Sequence, residues 1–215
     1  MRAQAPFDRL RAALDEGNLE LISLADSCLR QNYQTDSALY YHSLFLIKKG
    51  RLAEAKTQIT LLEKKYPDFY MKDYAYALYY FESENYGKCT DRFNAVLKKN
   101  PAHLKSLYNR ALVAGLLADY KAAIEDLSAC ISLQPEQAMY YYSRAYWHEM
   151  DGKLDAAGND YEMAIRKNSR LFDAYFGIAN CYRLQKNNDK ACEAIDRAEA
   201  AGSQVAGDLR QTYCH

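Results

Sequence analysis

Aromatic side chains recur along this chain at one fixed interval. Five of them occupy equivalent places in this series, namely Tyr40, Tyr74, Tyr108, Tyr142 and Phe176. A second series follows each of them by four positions, namely Leu44, Leu78, Leu112, Tyr146 and Asn180. Ring faces and aliphatic side chains do no acid–base chemistry, but they bind apolar and aromatic groups at a low entropic cost. The spacing therefore predicts a binding surface rather than a reaction centre.

The motifs of common catalytic classes are absent from the sequence. It has no GxSxG nucleophile elbow, no GxxxxGK[ST] phosphate loop, no HExxH and no GxGxxG. Four histidines are scattered at positions 42, 103, 148 and 215, and His42 and His148 occupy packing positions. Acidic pairs such as Glu125–Asp126 have basic neighbours, as on solvated helix faces. We therefore expect no enzymatic activity, no cofactor and no metal ion.

The charge balance also narrows the class of partner. Twenty-eight basic and 28 acidic side chains cancel, so no net field attracts phosphate backbones or anionic lipid. No apolar run approaches the roughly 20 residues that span a bilayer. We expect neither nucleic-acid binding nor membrane insertion.

The six cysteines show no CxxC pair and no metal-type cluster, so their spacing does not indicate structural pairing. Cys89 and Cys130 fall at small-residue packing positions. Cys181 and Cys192 lie symmetrically about a predicted turn and could face each other across two helices. Only the directions of their Cβ atoms decide whether they pair.

A longer pattern accompanies the aromatic series. Pro67, Pro101 and Pro135 recur at the same interval as the aromatic rings. A small residue twelve positions before each proline gives Ala55, Cys89 and Ala123, and Ala157 and Ala191 continue this column although Ser169 and Ser203 replace the proline. A bulky residue four positions later gives Ile59, Phe93, Leu127, Tyr161 and Ile195. This combination resembles the tetratricopeptide repeat, a helix–turn–helix unit of about 34 residues.

The resemblance implies an all-α fold, a right-handed superhelical α-solenoid of antiparallel helix pairs. The predicted in-register repeats cover 36–69, 70–103, 104–137, 138–171 and 172–203. A degenerate helix pair is expected at 6–35 and a capping helix at 204–215, where Val205, Leu209 and Tyr213 form one apolar stripe. The small-residue columns let paired helices approach closely, and each proline ends a second helix. Trp147 is expected to pack between first helices of neighbouring repeats.

The resemblance also places the aromatic series. Positions two, five, nine and twelve of each first helix line the inner groove of this family. The groove residues it implies are Tyr40, Leu44, Met71, Tyr74, Leu78, Phe81, Tyr108, Asn109, Leu112, Met139, Tyr142, Tyr146, Phe176 and Asn180. Tyrosine at position five is also common in idealised repeats, so part of the series is scaffold. The neighbouring leucines and methionines would leave an exposed apolar patch, which soluble monomers rarely tolerate unless something covers it.

These residues predict a non-enzymatic protein-interaction scaffold that holds an apolar peptide or helix of a partner protein. Relatives that clamp a C-terminal carboxylate use five polar residues. Asn109 matches one of them, whereas Tyr74, Leu78, Met139 and Ser143 replace the other four, so an acidic tail is disfavoured. A small-ligand or glycan binder and a self-associating protein remain alternatives.

The extreme N-terminus leaves the cell compartment open. Residues 3–5, Ala-Gln-Ala, resemble the end of a secretory signal, but the charged and apolar regions that precede such a site are missing. Residues 1–5 are accordingly interpreted as disordered or as a signal remnant. Export is slightly favoured over a cytoplasmic location.

Overall fold

The computed structural model describes residues 35–214, and every regular element in that range is an α-helix. The eleven helices are α1 (Thr35–Lys48), α2 (Leu52–Lys65), α3 (Met71–Glu82), α4 (Tyr86–Lys99), α5 (Leu104–Leu116), α6 (Tyr120–Leu133), α7 (Ala138–Met150), α8 (Leu154–Lys167), α9 (Phe172–Leu184), α10 (Asn188–Ala200) and α11 (Ala206–Tyr213). The predictions for residues 1–5 and, except for Thr35, for the degenerate pair at 6–35 lie outside the described residues.

The helix starts reproduce the period of the sequence. The second helix of each pair begins at Leu52, Tyr86, Tyr120, Leu154 and Asn188, which keep the interval of the aromatic series. Pro67, Pro101 and Pro135 each lie two positions beyond the end of a second helix, where proline cannot continue it. The predicted repeat of helical hairpins is therefore confirmed, while the exact repeat boundaries stay a prediction.

The turn inside each hairpin has a recurring geometry that the sequence predicts only in part. One residue per turn has a positive φ, namely Gly50 (71°), Glu84 (55°), Ala118 (60°), Gly152 (74°) and Lys186 (61°). Glycine adopts this left-handed conformation freely, whereas a residue with a Cβ does so at a cost. Asn85, Asp119 and Asn187 follow three of these residues, and each accepts a hydrogen bond from a backbone N–H in the first turn of the next helix.

The chain divides into two compact units between Ser106 and Leu107. In the first unit, α1 to α4 pack around residues that are fully buried, among them Leu39, Phe45, Ile59 and Phe93. The small-residue positions Ser43, Ala77, Ala55 and Cys89 are also fully buried. Their burial confirms that small side chains form the contact between paired helices.

The second unit follows the same packing rule and has two half-buried bidentate ion pairs. Its small-residue positions Ala111, Ala145, Ala179, Ala123, Ala157 and Ala191 are fully buried. Arg110 donates two hydrogen bonds to Asp126, at 2.8 and 2.6 Å, and Arg144 donates two to Asp160, at 2.7 and 2.8 Å. Each bidentate pair joins the two helices of one hairpin.

The C-terminal helix α11 packs on α10, and its role as a cap stays a prediction. Its first residue, Ala206, is fully buried. A disulfide joins Cys192 in α10 to Cys214 immediately after α11, at a sequence separation of 22. In the chain-entropy model, closing a loop of this length stabilises the folded state by about 3 kcal/mol.

This disulfide corrects the cysteine interpretation. The prediction that the spacing indicates no structural pairing is wrong, and so is the candidate pair Cys181–Cys192. Cys181 is free and lies in the buried core of the second unit. Cys192 instead meets the chain returning after α11, a contact that hairpin symmetry does not predict.

Candidate functional site

A cavity of about 580 Å³ lies in the first unit. Its walls come from α1, α3, the turns before α3 and α5, and the first residues of α5. Five residues that the sequence assigned to a groove line it: Tyr40, Leu44, Met71, Tyr74 and Leu78. We call this cavity the first-unit groove.

The two tyrosines of the groove form walls rather than protruding rings. Tyr40 is 7% exposed and Tyr74 is 5% exposed. The Tyr40 ring lies edge-on to Phe69, with centroids 5.7 Å apart, and the Tyr74 ring lies edge-on to His103 at 5.3 Å. Burial raises the pKa of Tyr40, so its hydroxyl stays protonated. Since the rings are fixed by packing, they present a preformed apolar surface.

Aliphatic side chains complete the groove. Leu44 is buried, whereas Met71 and Leu78 are half-buried and lie on α3. Charged residues occur at the ends, with Lys105 at the start of α5 and Glu82 at the end of α3. The middle of the groove is therefore apolar and its ends are polar.

Several groove residues were missed by sequence reasoning. Tyr41 lines the cavity, and Phe69 and His103 enter it from the turns before α3 and α5. Phe69 and His103 occupy the last position of two successive repeats. An aromatic ring at that position twice in succession was the available signal, but only first-helix positions were considered.

His103 is held in one orientation by the start of α5. Its Nδ1 lies 2.8 Å from the Ser106 hydroxyl and accepts a hydrogen bond from the Ser106 backbone N–H at 3.3 Å. Burial, followed by the nearby positive charge of Lys105, lowers the pKa of His103. The ring is therefore neutral at neutral pH and adds to the apolar wall.

Phe81 does not line the groove. Its ring packs against Tyr86 at the turn between α3 and α4, with centroids 6.1 Å apart. Position twelve of this repeat thus supports the hairpin turn.

Most of the predicted residues in the second unit contact their own neighbours. The Tyr108 hydroxyl lies 3.3 Å from the Ser143 hydroxyl, and the Tyr142 ring packs against Tyr161 with centroids 5.7 Å apart. Leu112 packs against the cluster that contains Trp147, Phe176 packs against the core cluster of this unit, and Asn109 is half-buried. Met139 and Tyr146 are the exposed members, at 40% and 41%.

Asn180 belongs to a hydrogen-bond network on α7, α8 and α9. It donates to a carboxylate oxygen of Glu149 and accepts a hydrogen bond from Arg183 at 2.8 Å. The other Glu149 oxygen accepts from the hydroxyl of the buried Tyr161 at 2.8 Å. Glu149 on α7 therefore accepts hydrogen bonds from side chains on α8 and α9, and the Asn180 amide is one of the two donors.

Two aromatic rings in the second unit lie against glycines. Trp147 on α7 packs on Gly115 of α5, and Tyr161 on α8 packs on Gly177 of α9. A Cβ at either glycine would overlap the ring. The first contact joins first helices of neighbouring repeats, which confirms the prediction for Trp147.

Helical hairpins that recur at one fixed interval, with small side chains between paired helices, define an α-solenoid repeat protein. Family models described as tetratricopeptide repeat match residues 104–137 and residues 151–206. These matches and the helical hairpins show that the chain contains tetratricopeptide repeats.

Curated relatives are distant and longer. The chain is 26% identical over 133 residues to human mitochondrial import receptor subunit TOM70, covering 59% of this chain and 21% of that protein. It is 25% identical over 131 residues to stress-induced-phosphoprotein 1 of Caenorhabditis elegans, covering 61% of this chain and 40% of that protein. The chain therefore spans well under half of either relative.

Solved structures share the fold over most of the chain. A structure of MamA protein matches with a TM-score of 0.72 at 18% identity, covering 81% of this chain and 95% of that one. YrrB, described as a TPR protein with an unusual peptide-binding site, matches with a TM-score of 0.68 at 18% identity, covering 81% and 91%. Proteins of this fold act mainly as non-enzymatic protein-interaction scaffolds.

Proposed function

We propose that the first-unit groove binds a short, extended, apolar segment of a partner protein, and that the chain acts as an interaction scaffold without enzymatic activity. The observation that carries the proposal is the preformed cavity of about 580 Å³ with aromatic and aliphatic walls. Such a surface is costly to leave in water unless a ligand covers it.

The dimensions of the groove favour an extended segment over a helix. The lining residues run from Ser37 to Lys48 on α1 and from Met71 to Glu82 on α3, and eleven steps of 1.5 Å give a length of about 16 Å. An extended chain of about five residues has this length. A helix of the same length holds only about eleven residues, and a helix that short is marginal in water before it binds.

The groove chemistry favours apolar side chains over sugar rings. Leu44, Met71 and Leu78 place methyl and thioether groups beside the tyrosine rings. A sugar ring stacked there would leave its hydroxyl groups facing aliphatic carbon without partners, which is unfavourable. A glycan or other small ligand is therefore the second candidate, supported only by a volume that lies within the usual range for such sites.

The comparisons support the class of ligand. YrrB has the same fold and is described by its peptide-binding site, and TOM70 is an import receptor subunit. The first description names a peptide-binding site, and the second names a receptor. For this chain the partner is a proposal, and its chemistry is inferred from the groove alone.

The proposal is tested by selecting heptapeptides from a random phage-displayed library on the full chain. Selected sequences, made as fluorescent peptides, are titrated by fluorescence anisotropy against wild type, Met71→Asp and Met139→Asp. Both methionines occupy position two of their repeats, but only Met71 lines the groove. We expect apolar or aromatic heptapeptides, a loss of affinity of at least tenfold with Met71→Asp, and no loss with Met139→Asp.

Equal loss with both variants, or with Met139→Asp alone, would contradict the assignment to the first-unit groove. Failure of the selection to enrich any peptide, together with binding of oligosaccharides in a glycan array, would favour the second candidate. Circular dichroism of each variant checks that helix content is unchanged.

A further inference from the structure

Helix α11 packs on α10, and among its described side chains, residues 206–210, Ala206 and Leu209 make the apolar contacts. Among residues 206–210, only Ala206 is buried, and Leu209 is half-buried. Arg210 forms ion pairs with Asp196 at 3.2 Å and Glu199 at 3.7 Å, but all three side chains are about half exposed. Exposed ion pairs of this kind stabilise little.

The start of α11 also lacks a side-chain cap. Val205, the residue before the helix, makes no capping hydrogen bond. A helix of eight residues is marginal on its own in water. Burial of Ala206 and the packing of Leu209 hold the first half of α11, and an attachment beyond Arg210 holds its second half.

The disulfide supplies that attachment. Cys214 follows directly after α11, and its bond to Cys192 fixes the end of α11 to α10. Both cysteines are half-buried, so a thiol reagent can reach them.

The other thiols in residues 35–214 do not compete in disulfide exchange. Cys89, Cys130 and Cys181 are buried. Burial raises the pKa of each to about 12, so the reactive thiolate is scarce at neutral pH. Within residues 35–214, a thiol reagent therefore reacts at the Cys192–Cys214 bond, and the buried thiols do not exchange with that bond.

We propose that the Cys192–Cys214 disulfide is a reducible latch on the C-terminal helix. A dithiol reductant opens it in two steps. Its first thiolate attacks one sulfur, the S–S bond breaks, and the released cysteine sulfur takes a proton. The second thiol of the reductant, after deprotonation, attacks the mixed disulfide, which releases the other cysteine and leaves the reductant as its own disulfide.

Opening the latch frees the end of α11 without disturbing the hairpins. The surface uncovered is the part of α10 under α11. In an array of repeats, this outer face of the last hairpin is where a further helical unit would stack. The disulfide therefore controls how firmly α11 covers this face of α10.

Hydrogen exchange with mass spectrometry tests the latch on the full chain. Wild type is compared before and after treatment with dithiothreitol at pH 7.5, and C192S/C214S is compared under the same two conditions. We expect amides in 206–214 to exchange at least tenfold faster in reduced wild type, and protection in α7 to α9 to stay unchanged. The double variant should resemble reduced wild type in both conditions.

Unchanged exchange in 206–214 after reduction would overturn the latch. Loss of protection throughout α7 to α10 would also overturn it, because the bond would then support the whole unit. Alkylation of the unreduced, denatured chain followed by peptide mapping must find Cys192 and Cys214 unlabelled; labelling of both would show that the bond does not form.

Discussion

The two units use equivalent repeat positions for different purposes. In the first unit, Tyr40, Tyr74 and Leu78 surround a cavity of about 580 Å³. In the second unit, Tyr142 packs against a ring from α8 and Asn180 is bonded to Glu149. The difference lies in the neighbouring residues. The Tyr161 ring packs beside Tyr142 and against Gly177. Glu149 accepts hydrogen bonds from Tyr161 and Asn180.

The comparison shows that a repeat position fixes where a side chain points but not what it contacts. A tyrosine column alone therefore does not identify a binding groove. Unfilled space beside the column is needed as well, and within residues 35–214 the first-unit groove combines that space with five of the predicted residues.

The largest expected effect tests whether the second-unit aromatics are structural. In Gly177→Ala the new methyl group overlaps the buried Tyr161 ring, so we expect the free energy of unfolding to fall by about 2 kcal/mol. Gly158→Ala is the matched control, since it lies within α8 and a Cβ there meets no atom within 4 Å. That substitution should raise stability by up to about 1 kcal/mol through helix propensity.

Denaturant unfolding followed by the fluorescence of Trp147, the single tryptophan, measures both variants. A Gly177→Ala chain as stable as Gly158→Ala would show that Tyr161 does not need the space above that glycine.

An exchange of side chains between the units tests the comparison directly. Leu78→Asn removes apolar surface from the groove, so affinity for the selected heptapeptides should fall about tenfold with little change in stability. Asn180→Leu removes a hydrogen-bond donor from the half-buried Glu149, so stability should fall by about 1 kcal/mol with no change in affinity. Anisotropy titrations give the affinity and denaturant unfolding gives the stability. A loss of affinity with Asn180→Leu and a loss of stability with Leu78→Asn would contradict these roles.

The hairpin turns should behave alike in both units. Glu84→Gly in the first unit and Ala118→Gly in the second remove a Cβ from a left-handed residue, so each should stabilise the chain by about 1 kcal/mol. Gly152→Ala is the reverse change at an equivalent turn and should destabilise it by a similar amount. Thermal unfolding is the measurement, and a gain in one unit only would mean that the turns are not equivalent.

The smallest effect concerns pH. The pKa of His103 in the folded chain is lowered from its ordinary value of 6.5 by burial and by Lys105. Below pH 6.5 the unfolded chain therefore binds more protons at His103 than the folded chain does. The stability that neutral His103 contributes to the folded state is fully present above pH 6.5 and is lost as the pH falls. A peptide that buries His103 further should lower its pKa again, so affinity should fall about twofold to threefold between pH 7 and pH 5.5.

His103→Asn is the control, because asparagine keeps a helix-capping acceptor without a titrating ring. Its affinity should not change over the same pH range, and an identical pH dependence in wild type and variant would exclude His103 as the cause.

Much of the fold could be predicted because the same packing constraints recur in every repeat of the sequence. Small residues such as Ala55 and Ala123 must lie between paired helices, and prolines such as Pro67 must end a helix. Those constraints are local and recur in every repeat, so the sequence carries them visibly.

The site could be predicted only in part because its space is created by distant neighbours. Asn180 is held by Glu149, 31 residues earlier in the chain, and no feature of Asn180 itself announces that bond. The Cys192–Cys214 bond depends on where the chain returns after α11, which no period specifies. Left-handed turns at Glu84 and Lys186 were hidden because these residues carry no glycine signal.

The most direct measurement is photocrosslinking with a selected heptapeptide that carries a benzophenone, followed by mass-spectrometric mapping on the full chain. If the first unit holds the ligand, crosslinks will fall on segments that contain Tyr41, Met71 or Leu78. Crosslinks confined to residues 107–214, for example at the exposed Met139 and Tyr146, would contradict the assignment of binding to the first-unit groove.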